Sequence, residues 1–340
     1  SNLFGTQGLI LASPSVKDKI LPECGIDLSA SSICLELFHG ECCESEVSRL
    51  SAIITQKHVD VLVGMGGGKT IDTAKIAADR VGIPVIIVAT IASTDAPTSG
   101  CAVIYSPDGV FEKVDYQKLN PCAVLADLNI IAKAPVRFLV SGMGDALATW
   151  FEARSCTRTQ SLNECGGLSS LTGLNLARLC YDTLLKYGAA AKMACENQIV
   201  TPALAHIVET NTLLSGLGFE SGGLASAHAI HNGLTAIKET HCCYHGEKVA
   251  FGVLAGLHLT DANPSEMDEV YDFCEKIGLP TTLEELYIKD PTEEKLLIIA
   301  EASCAPGSTI FHEAGDINPQ NVLQAIIQAN AMGIKRKQKK

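Results

Sequence analysis

The amino-acid sequence predicts an α/β protein in which an N-terminal parallel β-sheet with crossover helices is followed by an all-helical part. In the first half, short and nearly continuous apolar runs alternate with helical patterns, which is typical of parallel strands covered on both faces. After Pro135 the strand-like runs stop and apolar residues recur at helical spacing. We therefore predict an α/β domain over residues 1–135 and a helical domain over residues 136–340.

Individual elements follow from the same patterns. Apolar runs predict strands at residues 9–11, 59–63, 85–88 and 123–126. Apolar residues at helical spacing predict helices at residues 146–154, 168–187, 201–217, 224–236 and 247–259. We expect a ligand in the cleft between the two domains.

The composition excludes several classes of protein. With 340 residues, 47% of them hydrophobic and 19% charged, the chain can bury two cores and is not disordered. A net charge of -12 argues against a nucleic-acid partner. Neither a membrane-spanning run nor a signal sequence is evident, so we expect a cytoplasmic protein without a membrane partner. The 14 cysteines never form C-x-x-C pairs, which predicts reduced and mostly buried thiols.

A glycine-rich turn follows the second predicted strand. Residues 64–70, Gly-Met-Gly-Gly-Gly-Lys-Thr, open a helical pattern and so offer backbone N–H groups to an anion. Lys69 stands where the dinucleotide fingerprint needs glycine, and Val63 stands where the P-loop needs it, which disfavours ATP chemistry. We expect a pyrophosphate close to the glycine backbone, with Lys69 as a counter-charge. The alternative is a strand-to-helix turn that binds nothing.

A polar stretch over residues 90–99 follows the third predicted strand and lies at the same edge of the sheet, where open parallel sheets bind ligands. Its hydroxyl groups can donate to a phosphate or a carboxamide. Asp95 can only accept a hydrogen bond, which suits a substrate hydroxyl. Helix capping is the alternative explanation for this stretch.

Candidate metal ligands lie in the helical half. Asp145 precedes a predicted helix and has the pattern of an N-cap. His228 and His231 are three residues apart on a helix of small and apolar residues, and His245 opens the next helix. A single histidine on an apolar face is more often a core residue than a ligand. Two imidazoles and a carboxylate together form a catalytic metal set that leaves a position open for substrate.

These motifs closely resemble the bacterial-type glycerol dehydrogenases of the iron-containing (type III) alcohol dehydrogenase superfamily, over essentially the whole chain. The stretches that carry the resemblance are residues 66–75, 90–97, 144–154, 219–225 and 245–252. The resemblance implies a Rossmann-like nucleotide-binding domain followed by a helical metal-binding domain, which together form the dehydroquinate synthase-like fold.

The resemblance also implies roles for individual residues. Asp145, His228 and His245 are expected to bind a divalent metal, usually zinc in this subfamily. Asp95 corresponds to a substrate-contacting aspartate, and His231 is expected to help relay the released proton. The residues expected to line the nicotinamide dinucleotide site are Gly68, Lys69, Asp72, Thr90, Ser93, Ser99, Cys101 and Tyr105.

The implied activity is oxidation of glycerol and related vicinal diols to dihydroxyacetone, with NAD reduced to NADH. Members of the family often form octamers, so a homo-oligomer is expected. One alternative is a superfamily member acting on a phosphorylated or otherwise charged substrate. The metal-helix segments supply only Lys238 and Lys248 for such a charge. The other alternative is a non-catalytic nucleotide-binding protein.

The chain departs from the family pattern in two places. Ser13 stands where the family commonly carries an aspartate that holds the adenosine ribose, which leaves the preference for NAD over NADP open. The family also has a further strand and helix before the point where this chain begins, so we expect a truncated or processed start. Loss of an edge element would expose the sheet.

Overall fold

The computed structural model describes residues 5–25 and 33–339, and the chain divides into two compact units, Ser1–Ala134 and Pro135–Lys340. The first unit is built on a parallel sheet and the second is mostly helical, which confirms the predicted fold class. The strands of the first unit are β1 (Gly8–Ala12), β2 (Ile33–Leu37), β3 (Val61–Gly66), β4 (Val85–Ala89), β5 (Cys101–Tyr105), β6 (Phe111–Tyr116) and β7 (Ala123–Ala126).

Five of these strands form one parallel sheet in the order β2-β1-β3-β4-β7. The chain order reverses between β1 and β3, so these two strands flank the topological switch point at which open α/β sheets bind ligands. Strands β5 and β6 form a separate antiparallel hairpin. Strands β2, β5 and β6 were not predicted from the sequence. Charged residues interrupt the apolar pattern of β2 and β6, whereas β5 is an apolar run that was not assigned.

Helices cover both faces of the sheet. Those of the first unit are α1 (Leu21–Glu23), α2 (Glu44–Gln56), α3 (Gly68–Val81) and α4 (Leu128–Lys133), with a π-helical turn at Val16–Ile20. Successive residues of β1 point to opposite faces. Leu9 and Leu11 pack with residues of α2 and α3, whereas Ile10 packs with Val16 and Leu21. Both faces are therefore dry, as the apolar runs predicted.

The turn in the glycine-rich segment is shorter than the predicted turn over residues 64–70. Strand β3 continues to Gly66, Gly67 is an extended N-cap, and α3 starts at Gly68. Gly64 is a strand residue paired with Ile87 of β4. A Cβ atom on Gly64 would overlap the side chain of Ala74 on α3. This glycine therefore serves close packing of helix on strand, and the turn between strand and helix is confined to Gly67.

The second unit consists of α5 (Val136–Thr159), α6 (Leu171–Glu196), α7 (Pro202–Glu209), α8 (Ser215–Gly222), α9 (Ser226–Leu234), α10 (His245–Leu259), α11 (Pro264–Ile277), α12 (Glu293–Ser303) and α13 (Pro319–Gln338). Shorter turns lie at Thr210–Leu214, Lys238–Cys242, Glu284–Leu286 and Thr309–His312. Helix α5 packs against α6, α8 and α10, and α9 packs against α10 and α12.

The start of α5 corrects one expectation. The helix begins at Val136, ten residues before the predicted start at Ala146, so Asp145 lies inside a helix and is not an N-cap. Gly142 and Gly144 precede the predicted helix, and glycine is unfavourable in a helix interior. In the structure both are buried within α5, and Gly144 lies against the backbone of α10.

Two expectations drawn from composition can be compared with the structure. All 14 cysteines are free thiols, but only seven of them are buried, fewer than the majority that the sequence suggested. In the ranges 5–25 and 33–339, none of the helices combines the length and the apolar character needed to span a membrane.

Candidate active site

Three ligand-type side chains converge in the helical unit. Asp145 comes from the middle of α5, His228 from the first turns of α9, and His245 from the first residue of α10. Asp145 Oδ1 lies 3.0 Å from His245 Nε2 and 3.5 Å from His228 Nε2. One ligand atom from each of the three residues lies within 4.8 Å of the other two. The structure thus brings together the three residues expected to bind a metal.

Burial and charge act together on this cluster. Asp145 is fully buried, which by itself raises the pKa of its carboxyl group, but the imidazoles of His245 and His228 hold that pKa well below its usual range. Burial lowers the pKa of His228, and the carboxylates of Glu152 and Asp145 outweigh it and raise that pKa above its usual range. The site therefore favours a carboxylate anion together with positive charge.

Each histidine of the cluster has a partner on its other ring nitrogen. His228 Nδ1 lies 2.6 Å from Glu152 Oε2, and His245 Nδ1 lies 3.0 Å from His231 Nε2. His231 Nδ1 in turn lies 3.0 Å from Asn232 Oδ1. His231 is thus one hydrogen bond away from the cluster, and burial lowers its pKa.

The chemistry of the donor set fits a divalent transition metal. Two imidazole nitrogens and one carboxylate oxygen form a set used in catalytic zinc and iron sites, with coordination positions left open. Ligand histidines usually donate their second N–H to a carboxylate or another acceptor, which orients the ring. Glu152 and His231 occupy those second positions here.

Backbone contact between two helices sets the position of this cluster. A Cβ atom on Gly144 of α5 would overlap the carbonyl oxygen of Gly246 on α10, and a Cβ atom on Gly246 would overlap the carbonyl oxygen of Ser141. These glycines immediately precede Asp145 and follow His245. The two ligands are therefore held by helices whose main chains touch.

We expect Gly246→Ala to destabilise the protein and to weaken metal binding. Replacing a helical glycine by alanine usually stabilises by roughly 0.5–1 kcal/mol, but overpacking a closed contact costs roughly 1–3 kcal/mol. Thermal melting and zinc titration of the variant measure both effects. Gly167→Ala is the matched control, because the nearest atom to an added Cβ there is 3.9 Å away. Equal melting temperatures for the two variants would show that the contact is not tight.

The first unit collects several of the residues expected to bind the dinucleotide at the carboxyl edge of β3 and β4. Gly68 is the first residue of α3, and Thr90 directly follows β4 and donates its backbone N–H to Gly66 at 3.2 Å. Ser93 and Asp95 lie in the segment after Thr90 and are partly buried. Ser13 follows β1 and donates its backbone N–H to Met65, so it lies beside the switch point.

Lys69 and Tyr105 form a second group near this edge. Lys69 is about half exposed, forms an ion pair with Glu41, and places its ammonium nitrogen 5.5 Å from the centre of the Tyr105 ring. Burial raises the pKa of Tyr105 above its usual value. The Lys69 ammonium is thus close to Tyr105 and still open to solvent.

The remaining expected cofactor residues are tied together by a buried lysine. Lys75 Nζ donates to the Ser99 backbone oxygen at 3.2 Å and to Ser99 Oγ at 3.3 Å, and it also donates to the backbone oxygen of Cys101. It lies 3.3 Å from Asp72 Oδ1, while Asp72 Oδ2 accepts the backbone N–H of Val103 at 3.1 Å. Burial raises the pKa of the Cys101 thiol to about 12. Asp72, Ser99 and Cys101 therefore take part in an internal network.

Sequence reasoning assigned no role to two residues that the structure shows to be central. Glu152 contacts His228, and Lys75 holds the segment after β4. Glu152 lies seven residues after Asp145, a spacing that returns to the same face of a helix, so this signal was present. For Lys75 no local pattern exists, because its acceptors lie 21 to 26 residues away along the chain.

Comparison with known proteins places the chain in a family. Residues 1–135 match the family model described as iron-containing alcohol dehydrogenase. A glycerol dehydrogenase from Thermotoga maritima is 54% identical over 302 residues, which cover 89% of this chain and 83% of that protein. A glycolaldehyde reductase from Halobacterium salinarum is 43% identical over 337 residues, which cover 97% of this chain and 91% of that protein.

The crystal structure of a probable glycerol dehydrogenase from Sinorhizobium meliloti 1021 superimposes with a TM-score of 0.93 at 42% identity, and the match covers 98% of this chain and 93% of that chain. The fold, the site and these matches define an oxidoreductase of the iron-containing alcohol dehydrogenase superfamily. Within that superfamily, the chain belongs to the glycerol dehydrogenase family.

Proposed function

We propose that this chain oxidises glycerol and related vicinal diols to dihydroxyacetone-type ketones with reduction of NAD, using a divalent metal, zinc in the first instance. The observation that carries the proposal is the convergence of Asp145, His228 and His245 around a buried carboxylate, in a chain that is 54% identical to a glycerol dehydrogenase. The same set of two imidazoles and one carboxylate also binds iron, after which the superfamily is named. The identity of the metal is therefore part of the proposal.

In the helical unit, Asp145 and the Nε2 atoms of His228 and His245 would hold the metal. A divalent cation in such a site lowers the pKa of a bound hydroxyl group, which favours loss of the alcohol proton. We assign to His231 the relay of that proton, because it is hydrogen-bonded to His245 Nδ1. Asp95 can only accept hydrogen bonds from hydroxyl groups, so we assign to it the orientation of the rest of the polyol.

In the first unit, the N-terminus of α3 at Gly68 and the half-exposed ammonium of Lys69 would bind the pyrophosphate of the dinucleotide. The bound nicotinamide ring would supply the hydride acceptor. Thr90, Ser93 and Tyr105 border the same edge. Asp72, Ser99 and Cys101 would act by keeping the segment after β4 in place.

The proposal also covers the roles of the domains, with nucleotide binding over residues 1–135 and metal binding over residues 136–340. It further includes a homo-oligomer and a cytoplasmic location.

The cations near the proposed metal site do not form a site for a substrate phosphate, which disfavours a phosphorylated substrate. Lys238 is exposed on the turn after α9, and Lys248 is buried on α10, where burial lowers the pKa of its ammonium group. Arg137 is engaged by the Glu247 carboxylate through two hydrogen bonds of 2.6 and 2.8 Å. A non-catalytic role is disfavoured because the three ligands converge with their outer partners in place.

The test is NADH formation by the purified chain with NAD and glycerol at mildly alkaline pH. Parallel samples are treated with a chelator and then restored with zinc or with iron(II). We expect activity to be lost on chelation and regained with zinc, because the alcohol proton is released poorly without the cation. NADPH formation with NADP, run alongside, reports the effect of Ser13 on cofactor choice.

Other substrates separate the alternatives. Glycolaldehyde with NADH and glycerol 1-phosphate with NAD are assayed on the same preparation. Turnover of glycerol phosphate above that of glycerol would reject the proposed substrate and retain the enzyme class. A folded, metal-loaded chain that turns over none of these compounds would favour the non-catalytic alternative.

A further inference from the structure

Glu152 lies on the same face of α5 as the ligand Asp145. The two residues are seven positions apart, almost two full turns of an α-helix. Glu152 is 1% exposed, so its carboxylate is fully removed from water. A buried carboxylate is costly unless its oxygens accept hydrogen bonds, so its partners show what it does.

The two carboxylate oxygens of Glu152 have different partners. Oε1 accepts the backbone N–H groups of Ala225 and His228, each at 2.9 Å, at the N-terminus of α9. Oε2 lies 2.6 Å from Nδ1 of the His228 ring. An ionised carboxylate can only accept, so the Nδ1 atom carries the proton that is shared in this contact. In a neutral ring the lone pair is then on Nε2, the atom that faces Asp145.

A second buried carboxylate lies at the same helix end and provides an internal comparison. Glu313 is 7% exposed and accepts the backbone N–H of Ser226 at 3.2 Å. It also accepts the hydroxyl groups of Ser226 and Ser155. Among the described residues, these are the hydrogen bonds that Glu313 forms. Both carboxylates therefore accept backbone N–H groups at the N-terminus of α9. Of the two, Glu152 also contacts the imidazole ring of His228.

We infer that Glu152 is a positioning residue that holds His228 in the Nδ1-protonated tautomer with Nε2 free to bind the metal. The inference rests on the proposed metal-dependent function and adds to it a residue that controls how tightly the metal is held. Helix capping alone does not account for the contact to the ring, because Oε1 already performs that capping.

Glu152→Gln distinguishes the two roles. The amide oxygen of glutamine takes the place of Oε1, since two backbone N–H groups need an acceptor there. The amide NH₂ group then faces Nδ1 and can only donate, so the ring proton moves to Nε2 and blocks the metal-binding atom. Loss of such an outer partner typically weakens metal binding about 10–100-fold. Glu313→Gln keeps its partners, because serine hydroxyl groups can either donate or accept.

The experiment is zinc titration of the unchanged chain, Glu152→Gln and Glu313→Gln against a chromophoric chelator, with thermal melting of the metal-free proteins. We expect zinc affinity to fall about 10–100-fold for Glu152→Gln and to stay near the starting value for Glu313→Gln. Equal zinc affinities for the two variants would overturn the inference. If the unchanged chain binds no divalent metal, the proposed function fails first, and that failure is visible before either variant is measured.

A second measurement decides the matter if Glu152→Gln does not fold. Ring ¹⁵N chemical shifts of the unchanged, zinc-loaded chain, labelled at histidine, report which nitrogen of each imidazole carries a proton. A ring bound to zinc through Nε2 carries its proton on Nδ1 whatever its partner, so the chemical shift of that Nδ1 proton is the readout specific to Glu152. A proton shifted strongly downfield, as in a hydrogen bond to a carboxylate, supports the assigned role. An unshifted Nδ1 proton, or an unprotonated Nδ1, contradicts it, whatever the zinc affinity of the variants.

Discussion

His228→Ala is expected to abolish zinc binding and to reduce turnover by at least about 1000-fold, equivalent to roughly 4 kcal/mol of transition-state stabilisation. The substitution removes one of two imidazole donors and leaves Asp145 and His245, too few protein ligands for a catalytic zinc site. The fold should persist, because alanine is a strong helix former. Glu152 still accepts the backbone N–H groups of residues 225 and 228.

Zinc content after dialysis, NADH formation and the circular dichroism spectrum together measure this result. His206→Ala is the control, since His206 lies on the exposed side of α7 and stacks on Tyr187. His245→Ala, at a position where the side chain is 34% exposed, repeats the test if the first variant is unstable. A zinc-free His228→Ala protein that retains full activity would refute the metal assignment.

Lys75→Met is expected to destabilise the first unit by about 3–5 kcal/mol. The Lys75 side chain is 1% exposed, and its ammonium donates to backbone oxygens of Ala96, Ser99 and Cys101 and lies beside Asp72. Methionine has a similar length and no donor, so these acceptors are left buried without their partner. The KM for NAD should also rise, because the segment that carries Ser93 loses its anchor.

Thermal melting and steady-state kinetics with varied NAD measure the two effects separately. Lys69→Met is the matched control on the same helix, because Lys69 is 52% exposed and its ion pair with Glu41 is worth at most about 1 kcal/mol. We expect Lys69→Met to raise the KM for NAD with little change in melting temperature. A Lys75→Met protein that melts like Lys69→Met would show that the buried network is not a major source of stability.

Part of the fold was predictable because uninterrupted apolar runs mark strands. Strands β1, β3, β4 and β7 of the parallel sheet each contain such a run, including β7, a partly exposed edge strand. Charged residues interrupt β2 and β6, whereas β5 is an apolar run that was not assigned as a strand. The early start of α5 was missed because Gly142 and Gly144 are unfavourable in a helix interior, although Gly144 is required by the packing of α5 on α10.

The site divides in a similar way. The convergence of Asp145, His228 and His245 could be anticipated because histidine and aspartate are chemically distinctive in an apolar helical region, and the family resemblance singled out these three. The supporting residues were not, since a glutamate or lysine in a helix is ordinary until its distant partners are known. Glu152 contacts a residue 76 positions away, and the Lys75 ammonium donates mainly to backbone oxygens, which every residue type carries.

The main-chain contact between α5 and α10 at Gly144 and Gly246 has a consequence for sequence divergence. Because carbonyl and Cα atoms meet there, the separation of Asp145 from His245 does not depend on the volume of neighbouring core side chains. Core substitutions that conserve volume can accumulate around these helices at a cost below about 1.5 kcal/mol each without moving the donors. The two glycine positions themselves are too close to backbone atoms for any larger residue, so we expect the arrangement of Asp145 and His245 to be retained while the surrounding core diverges.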